Sequence, residues 1–174
     1  MFSIEGLGKF FYKFLVKERF VMKDSLGDIN SIQFATYLNV KASEMGIQAG
    51  ITQIQKWLYI CYGLFLELND VRLLDEQPIA GNYGPFFPKV YEAQKLNGDT
   101  LSNLDFQFEI NFEYEQVVDS TLHYFGYWSA SRLVNWTHQR GTAWYKKYAE
   151  LNEKYEILND DDIISDFRNI IIRE

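Results

Sequence analysis

Ile54-Gln55-Lys56-Trp57-Leu58-Tyr59-Ile60-Cys61-Tyr62-Gly63-Leu64-Phe65, running on to Leu68, is the stretch that decides the fold. Ile54, Trp57, Leu58, Cys61, Leu64, Phe65 and Leu68 recur at spacings of three and four, the period of one helix face. Tyr59, Ile60 and Tyr62 make the other faces apolar as well. A helix that is apolar nearly all round belongs at the centre of its domain. Thr52-Gln53-Ile54-Gln55 reads as a capping box at its start, with Thr52 as the cap, and Asn69-Asp70 ends it.

Upstream, a second helix is expected from Ser31 to Glu44, with Ile32, Ala35, Leu38, Ala42 and Met45 turned inward and Gly46 and Gly50 bracketing the break. Residues 1–29 read as an amphipathic N-terminal extension, and residues 30–174 as the domain proper. In the extension, Leu7, Phe10, Phe11, Phe14 and Leu15 share a face opposite Lys9, Lys13 and Lys17. It reads as a helix docked on the domain, or as an arm for a partner helix or membrane surface. Ser25-Leu26-Gly27-Asp28 reads as a linker, and Met22 is an alternative start.

Downstream, Val71–Leu74 and Gln77–Ala80 suggest two small strands. Tyr83-Gly84-Pro85-Phe86-Phe87-Pro88-Lys89-Val90-Tyr91 then sets two prolines and a glycine among four aromatics. Proline fixes φ and glycine frees it, so the path of this turn is set. Pro88 suits the first turn of a helix to Leu96, closed by Asn97-Gly98. Residues 99–114 alternate weakly (Leu104, Phe106, Phe108, Ile110, Phe112), which by period alone says strand; a loop packed by its Phe residues is the alternative. Helices are expected from Glu115 to Phe125, from the Ser129 cap to His138, from the Thr142 cap through Tyr148, and from Ile163 to Ile172 behind Asn159 and three aspartates. The class is mainly α, a compact single-domain helical fold with a small β-hairpin element.

Composition narrows the function. The chain has 174 residues, enough for one cored domain, and aromatics make up 17% of it. A net charge of −7 argues against a sequence-independent phosphate binder and suits a basic protein partner. The single cysteine, Cys61, makes neither a disulfide nor a cysteine-based zinc site, and with no apolar run of spanning length the expected location is cytoplasmic. No metal-ligand spacing or phosphate loop appears, so no cofactor, metal or direct nucleic-acid contact is expected. The histidines are His123, read as structural, and His138, read as capping a helix end or bonding a neighbouring loop. Asp75 and Glu76 have no partner at a defined spacing, and Asp160–Asp162 read as a helix cap.

Four blocks in register resemble one family. They are Ile54–Gly63; Pro78-Ile79 with Tyr83–Tyr91; Ser129–Trp144 with its Thr137-His138; and Asp162-Ile163-Ile164. Together, over residues from about 31 to 170, they resemble the Panacea domain of SocA-like antitoxins and phage-associated proteins. Trp57 stands where leucine is usual, Arg140 where acidic residues are frequent, and Thr142-Ala143 where Ser/Thr-Pro is common. The resemblance implies a small helical antitoxin that binds a toxin encoded beside it and blocks it by contact. One kind in the family delivers its toxin to a protease.

The expected contact surface draws Lys56 and Tyr59 from the central helix. It takes Tyr83, Gly84, Pro85, Phe86, Phe87, Pro88 and Tyr91 from the turn, and Thr137, His138, Gln139, Arg140 and Trp144 from the loop beyond Ser129. Two rival readings stand beside it. One is a phage- or prophage-encoded effector binding a host defence or protease component, which gene neighbourhood would distinguish. The other is an enzyme using His138 with a carboxylate or Cys61.

Overall fold

A computed structural model describes residues 27–172, with side chains to residue 169. The amphipathic helix expected before residue 27 lies outside the described residues. The elements are α1 (Ser31–Glu44), α2 (Ile51–Asn69), β1 (Ile79–Gly81), β2 (Gly84–Phe86), α3 (Pro88–Leu96), α4 (Phe112–Phe125), α5 (Ala130–Thr137), a π-helical segment (Tyr145–Glu150) and α6 (Asp160–Ile172).

The apolar run became α2, and α2 touches every other α-helix described, as well as β2. Trp57, Leu58, Ile60, Cys61, Tyr62 and Phe65 are all buried, each large side chain contributing about 1.5–3 kcal/mol. Its start differs from the expected capping box. The cap is Gly50, and the Gln53 side chain reaches back to accept the Gly50 N–H at 3.2 Å, while Thr52 is no cap. Asp70 ends the helix in the left-handed region. Gly63 admits no added bulk, because a methyl there would overlap the Phe167 ring of α6.

α1 follows the expected bounds, but Met45 falls at its C-cap and is exposed. The end of the expected linker is not free. The Gly27 N–H donates to the Tyr114 hydroxyl, Asp28 and Ile29 donate to the Arg72 and Leu73 carbonyls, and Ile29 bridges Leu74 in parallel. Val71–Leu74 makes that single bridge and no strand of its own. β1 pairs instead with the Gly-Pro segment itself, in the register Ile79↔Phe86, Ala80↔Pro85, Gly81↔Gly84.

Residues 99–111 form a loop, not a strand. Phe106 and Phe108 pack on Tyr37 and Phe34, with ring centroids 5.3 and 6.0 Å apart, so the alternating aromatics found ring partners and no ladder partner. Ile110 and Phe112 stay exposed. α4 starts three residues earlier than expected because the Asn111 side chain caps it, accepting the Tyr114 N–H at 2.9 Å. Ser129 caps α5, Thr142 accepts the Tyr145 N–H, and Asn159 accepts the N–H groups of Asp161 and Asp162. The acids beside that last cap diverge, Asp160 to Arg72 at 2.7 Å and Asp162 to Lys146 at 2.7 Å. Asp75 and Glu76 found partners that spacing does not reveal: Asp75 accepts the Ser31 N–H and pairs with Lys89, and Glu76 accepts the Lys89 N–H. No described helix is long and apolar enough to cross a membrane.

Candidate functional site: a lysine-braced hairpin and loop

Two neighbours on α2 hold the hairpin, and their chemistry explains why an amide and an amine interrupt the apolar run. Gln55 is buried, and its Oε1 accepts the Phe87 N–H at 2.8 Å while its Nε2 reaches the Phe87 carbonyl at 3.4 Å and Gln94 Oε1 at 3.0 Å. Lys56, 2% exposed, donates its ammonium to the Pro85 carbonyl at 2.8 Å. Buried polar groups cost stability unless bonded, and here both side chains are used to fix one stretch of backbone. With little to offset its desolvation, the Lys56 ammonium has its pKa brought down to about 7.

The turn is cut to fit this brace. Gly84 has φ +97°, and a methyl there would lie 2.5 Å from Thr137 Oγ1 and 2.9 Å from Lys56 Cε. Pro85 has no N–H to donate, which costs nothing, since its pairing partner Ala80 turns its own groups outward. The Ala80 N–H donates to the Glu156 carbonyl and its carbonyl accepts the Tyr155 N–H. Phe87 is fully buried against Tyr62, and Pro88 opens α3. Phe86 and Tyr91 meet edge to face at 5.7 Å. Tyr83, at the hairpin tip, is 73% exposed and Tyr91 42%.

The loop after α5 closes over the same hairpin. Trp144 Nε1–H donates to the Gly81 carbonyl at 2.8 Å, and Tyr148 donates to Asn82 Oδ1 at 2.6 Å. His138 lies flat on Trp144, centroids 3.7 Å apart and planes 4° apart, and Trp144 lies in turn on Tyr148 at 4.7 Å. His138 does stand at the helix end, as the C-cap residue of α5. Its backbone N–H bonds the Val134 carbonyl, but its Nε2 is buried without a partner and stacking holds the ring. Burial and the Lys56 charge both push its pKa below the usual imidazole value. His123 is exposed, edge-on to Tyr124 at 4.8 Å.

Turn and loop are thus brought together, but not as a sheet of exposed rings. Lys56, Tyr59, Gly84, Pro85, Phe87, Thr137 and Trp144 are buried, Phe86, Pro88 and His138 are half-buried, and Tyr83, Tyr91, Gln139 and Arg140 form the exposed rim. Sequence reasoning missed Gln55 as a brace, although an amide inside so apolar a run is a visible signal. It also missed Asp166, whose Oδ2 accepts the Ala143 N–H at 2.7 Å and pins the loop to α6. Burial raises the Asp166 carboxyl to about 6. Between this loop and α6 lies a pocket of about 210 Å³ whose walls include Tyr59, Trp136, Arg140, Thr142, Asp166 and Phe167.

No curated protein matches the chain. No solved structure matches it either. A family model does: the antitoxin SocA-like Panacea domain matches residues 54–145, from the first turn of α2 through the hairpin and α5 to Tyr145. That span covers more than half of the chain and contains Gln55, Lys56, the Gly-Pro turn and the His138–Trp144 stack, so the chain belongs to the SocA-like antitoxin family of Panacea-domain proteins.

Proposed function

We propose that the protein is the antitoxin of a toxin–antitoxin pair and neutralises its toxin by direct contact in the cytoplasm, without catalysis. The observation that carries this reading is the family match over the very residues that build the braced hairpin and loop. Gln55 and Lys56 clamp the backbone between Pro85 and Phe87, and Trp144 clamps Gly81. The exposed rim of Tyr83, Tyr91, Gln139 and Arg140 therefore meets a partner with little ordering left to do. Tyrosine and arginine suit such a rim because they give large contact area and directed hydrogen bonds. The net charge of −7 favours a basic toxin.

A binding role also agrees with the state of the nucleophile and base candidates. The Cys61 thiol is fully buried and pushed up to about 12, and the His138 ring is committed to its stack. The test is co-expression of the protein with the product of the neighbouring gene. Rescue of growth together with co-purification is expected; persisting toxicity, or no complex, refutes the reading.

A further inference from the structure

The pocket between the 138–143 loop and α6 is the one feature of the site that the braced hairpin leaves without a task. Its volume of about 210 Å³ falls below the roughly 300–1,000 Å³ typical of small-molecule sites, so it matches one side chain better than a cofactor. Three of its lining residues, Tyr59, Trp136 and Phe167, are aromatic, and Thr137, Gln139, Thr142 and Asn169 add polar groups. The Tyr59 and Phe167 rings meet at 5.6 Å, and Trp136 meets Phe167 at 6.0 Å, both edge to face. One wall is the Asp166 carboxylate. Its Oδ2 is engaged by the Ala143 N–H, while Oδ1 has no hydrogen bond among the described residues and no described side chain forms an ion pair with the group. Arg140 stands at the exposed mouth, where solvent and salt screen its charge.

A half-buried carboxylate with one oxygen left open beside three aromatic rings is suited to a planar cation. Guanidinium offers donors to the carboxylate and stacks on aromatic rings, and it gives up hydration more readily than an ammonium. Resting on the binding role proposed above, we propose that this pocket receives an arginine side chain of the basic partner protein, with Asp166 as its counter-ion and the rings of Tyr59, Trp136 and Phe167 as its walls. The pocket then supplies the charged anchor beside the uncharged tyrosine rim.

The test needs no partner. The full chain is titrated near neutral pH with N-acetyl-arginine amide and with its citrulline counterpart, which has nearly the same shape and no charge. The Trp136 indole and Ala143 amide signals are followed by NMR. Shifts with the arginine probe, none with citrulline, and at least about tenfold weaker binding to an Asp166→Asn variant are expected. Asparagine keeps an oxygen for the Ala143 N–H, so that variant removes charge and not the loop anchor; its melting temperature checks this. Equal response to the two probes, no response to either, or unchanged binding by Asp166→Asn overturns the proposal. If the arginine probe binds and yet the neighbouring gene product is neither bound nor neutralised, the antitoxin reading fails while the pocket stands. If that product is neutralised equally well by Asp166→Asn, the pocket alone is refuted.

Discussion

Lys56 is an expensive residue to keep inside a helix bundle. Its ammonium has one carbonyl, that of Pro85, to replace the water it lost. Because burial brings its pKa down from 10.5 to about 7, stability is linked to proton binding with a definite sign. Above pH 10.5 the group is neutral in folded and unfolded chains alike. As pH falls toward 7 the unfolded chain takes up the proton first, so stability is lost through this window and the loss is complete below it. Relative to a Lys56→Met variant, the wild type should therefore gain stability between about pH 7 and 9.5. The gain should be of order 2–3 kcal/mol, given about 1.4 kcal/mol per pH unit. Urea unfolding of both proteins across that range measures it; parallel curves would mean the lysine is not desolvated. Gly84 is its counterpart in the turn. Alanine there meets left-handed strain of about 1–2 kcal/mol and overpacking against Thr137 and Lys56 of about 1–3 kcal/mol. Gly84→Ala should lower the urea midpoint by an amount worth at least about 2 kcal/mol, and a loss under half of that would contradict the close packing described.

At the scale of elements, a single small residue sets how closely α6 can approach α2 at Phe167. Gly63 leaves the space that Phe167 fills, so Gly63→Ala should cost about 1–3 kcal/mol. Trimming the ring with Phe167→Leu should then cost less in the Gly63→Ala background than in the wild type. A double-mutant cycle reads this coupling, and strictly additive losses would show that the two positions do not share the space. The pair also illustrates what periodicity can and cannot deliver. The centrality of α2, the bounds of α1 and α3 and the caps at Ser129, Thr142 and Asn159 were legible, because each depends on residues a few positions apart. Gly63 meeting Phe167 was not, since that contact joins distant segments. The 99–111 loop misled by period alone: alternating phenylalanines satisfy a ring cluster as readily as a sheet, and no local signal says which neighbour waits. Within the site, the Gly-Pro turn was visible, but its partition into buried brace and exposed rim was not. Tyr59, Phe87 and Trp144 are aromatic in the same way as Tyr83 and Tyr91, and only the fold decides which of them face water.

For the molecule as a whole, charge and shape have separable effects on an encounter with the proposed basic partner. The net charge of −7 acts at long range, so in the proposed encounter it governs how often the partners meet. Tyr83 acts only once they touch, and 73% of it is exposed at the hairpin tip. Raising salt from about 50 to 500 mM should thus slow association with the proposed toxin by about tenfold or more while leaving dissociation nearly constant. Tyr83→Ala should do the reverse. Its melting temperature should match the wild type within a degree or two, and its association rate should be unchanged. Dissociation should quicken roughly thirtyfold, the equivalent of about 2 kcal/mol for an interface anchor. Surface plasmon resonance at two salt concentrations on wild type and variant resolves all four rates. If salt changes only dissociation, attraction acts within short, desolvated contacts and the diffuse acidic field has no part in recognition. If Tyr83→Ala dissociates at the wild-type rate, the hairpin tip lies outside the interface, and the brace that Gln55 and Lys56 build beneath it is a matter of stability alone.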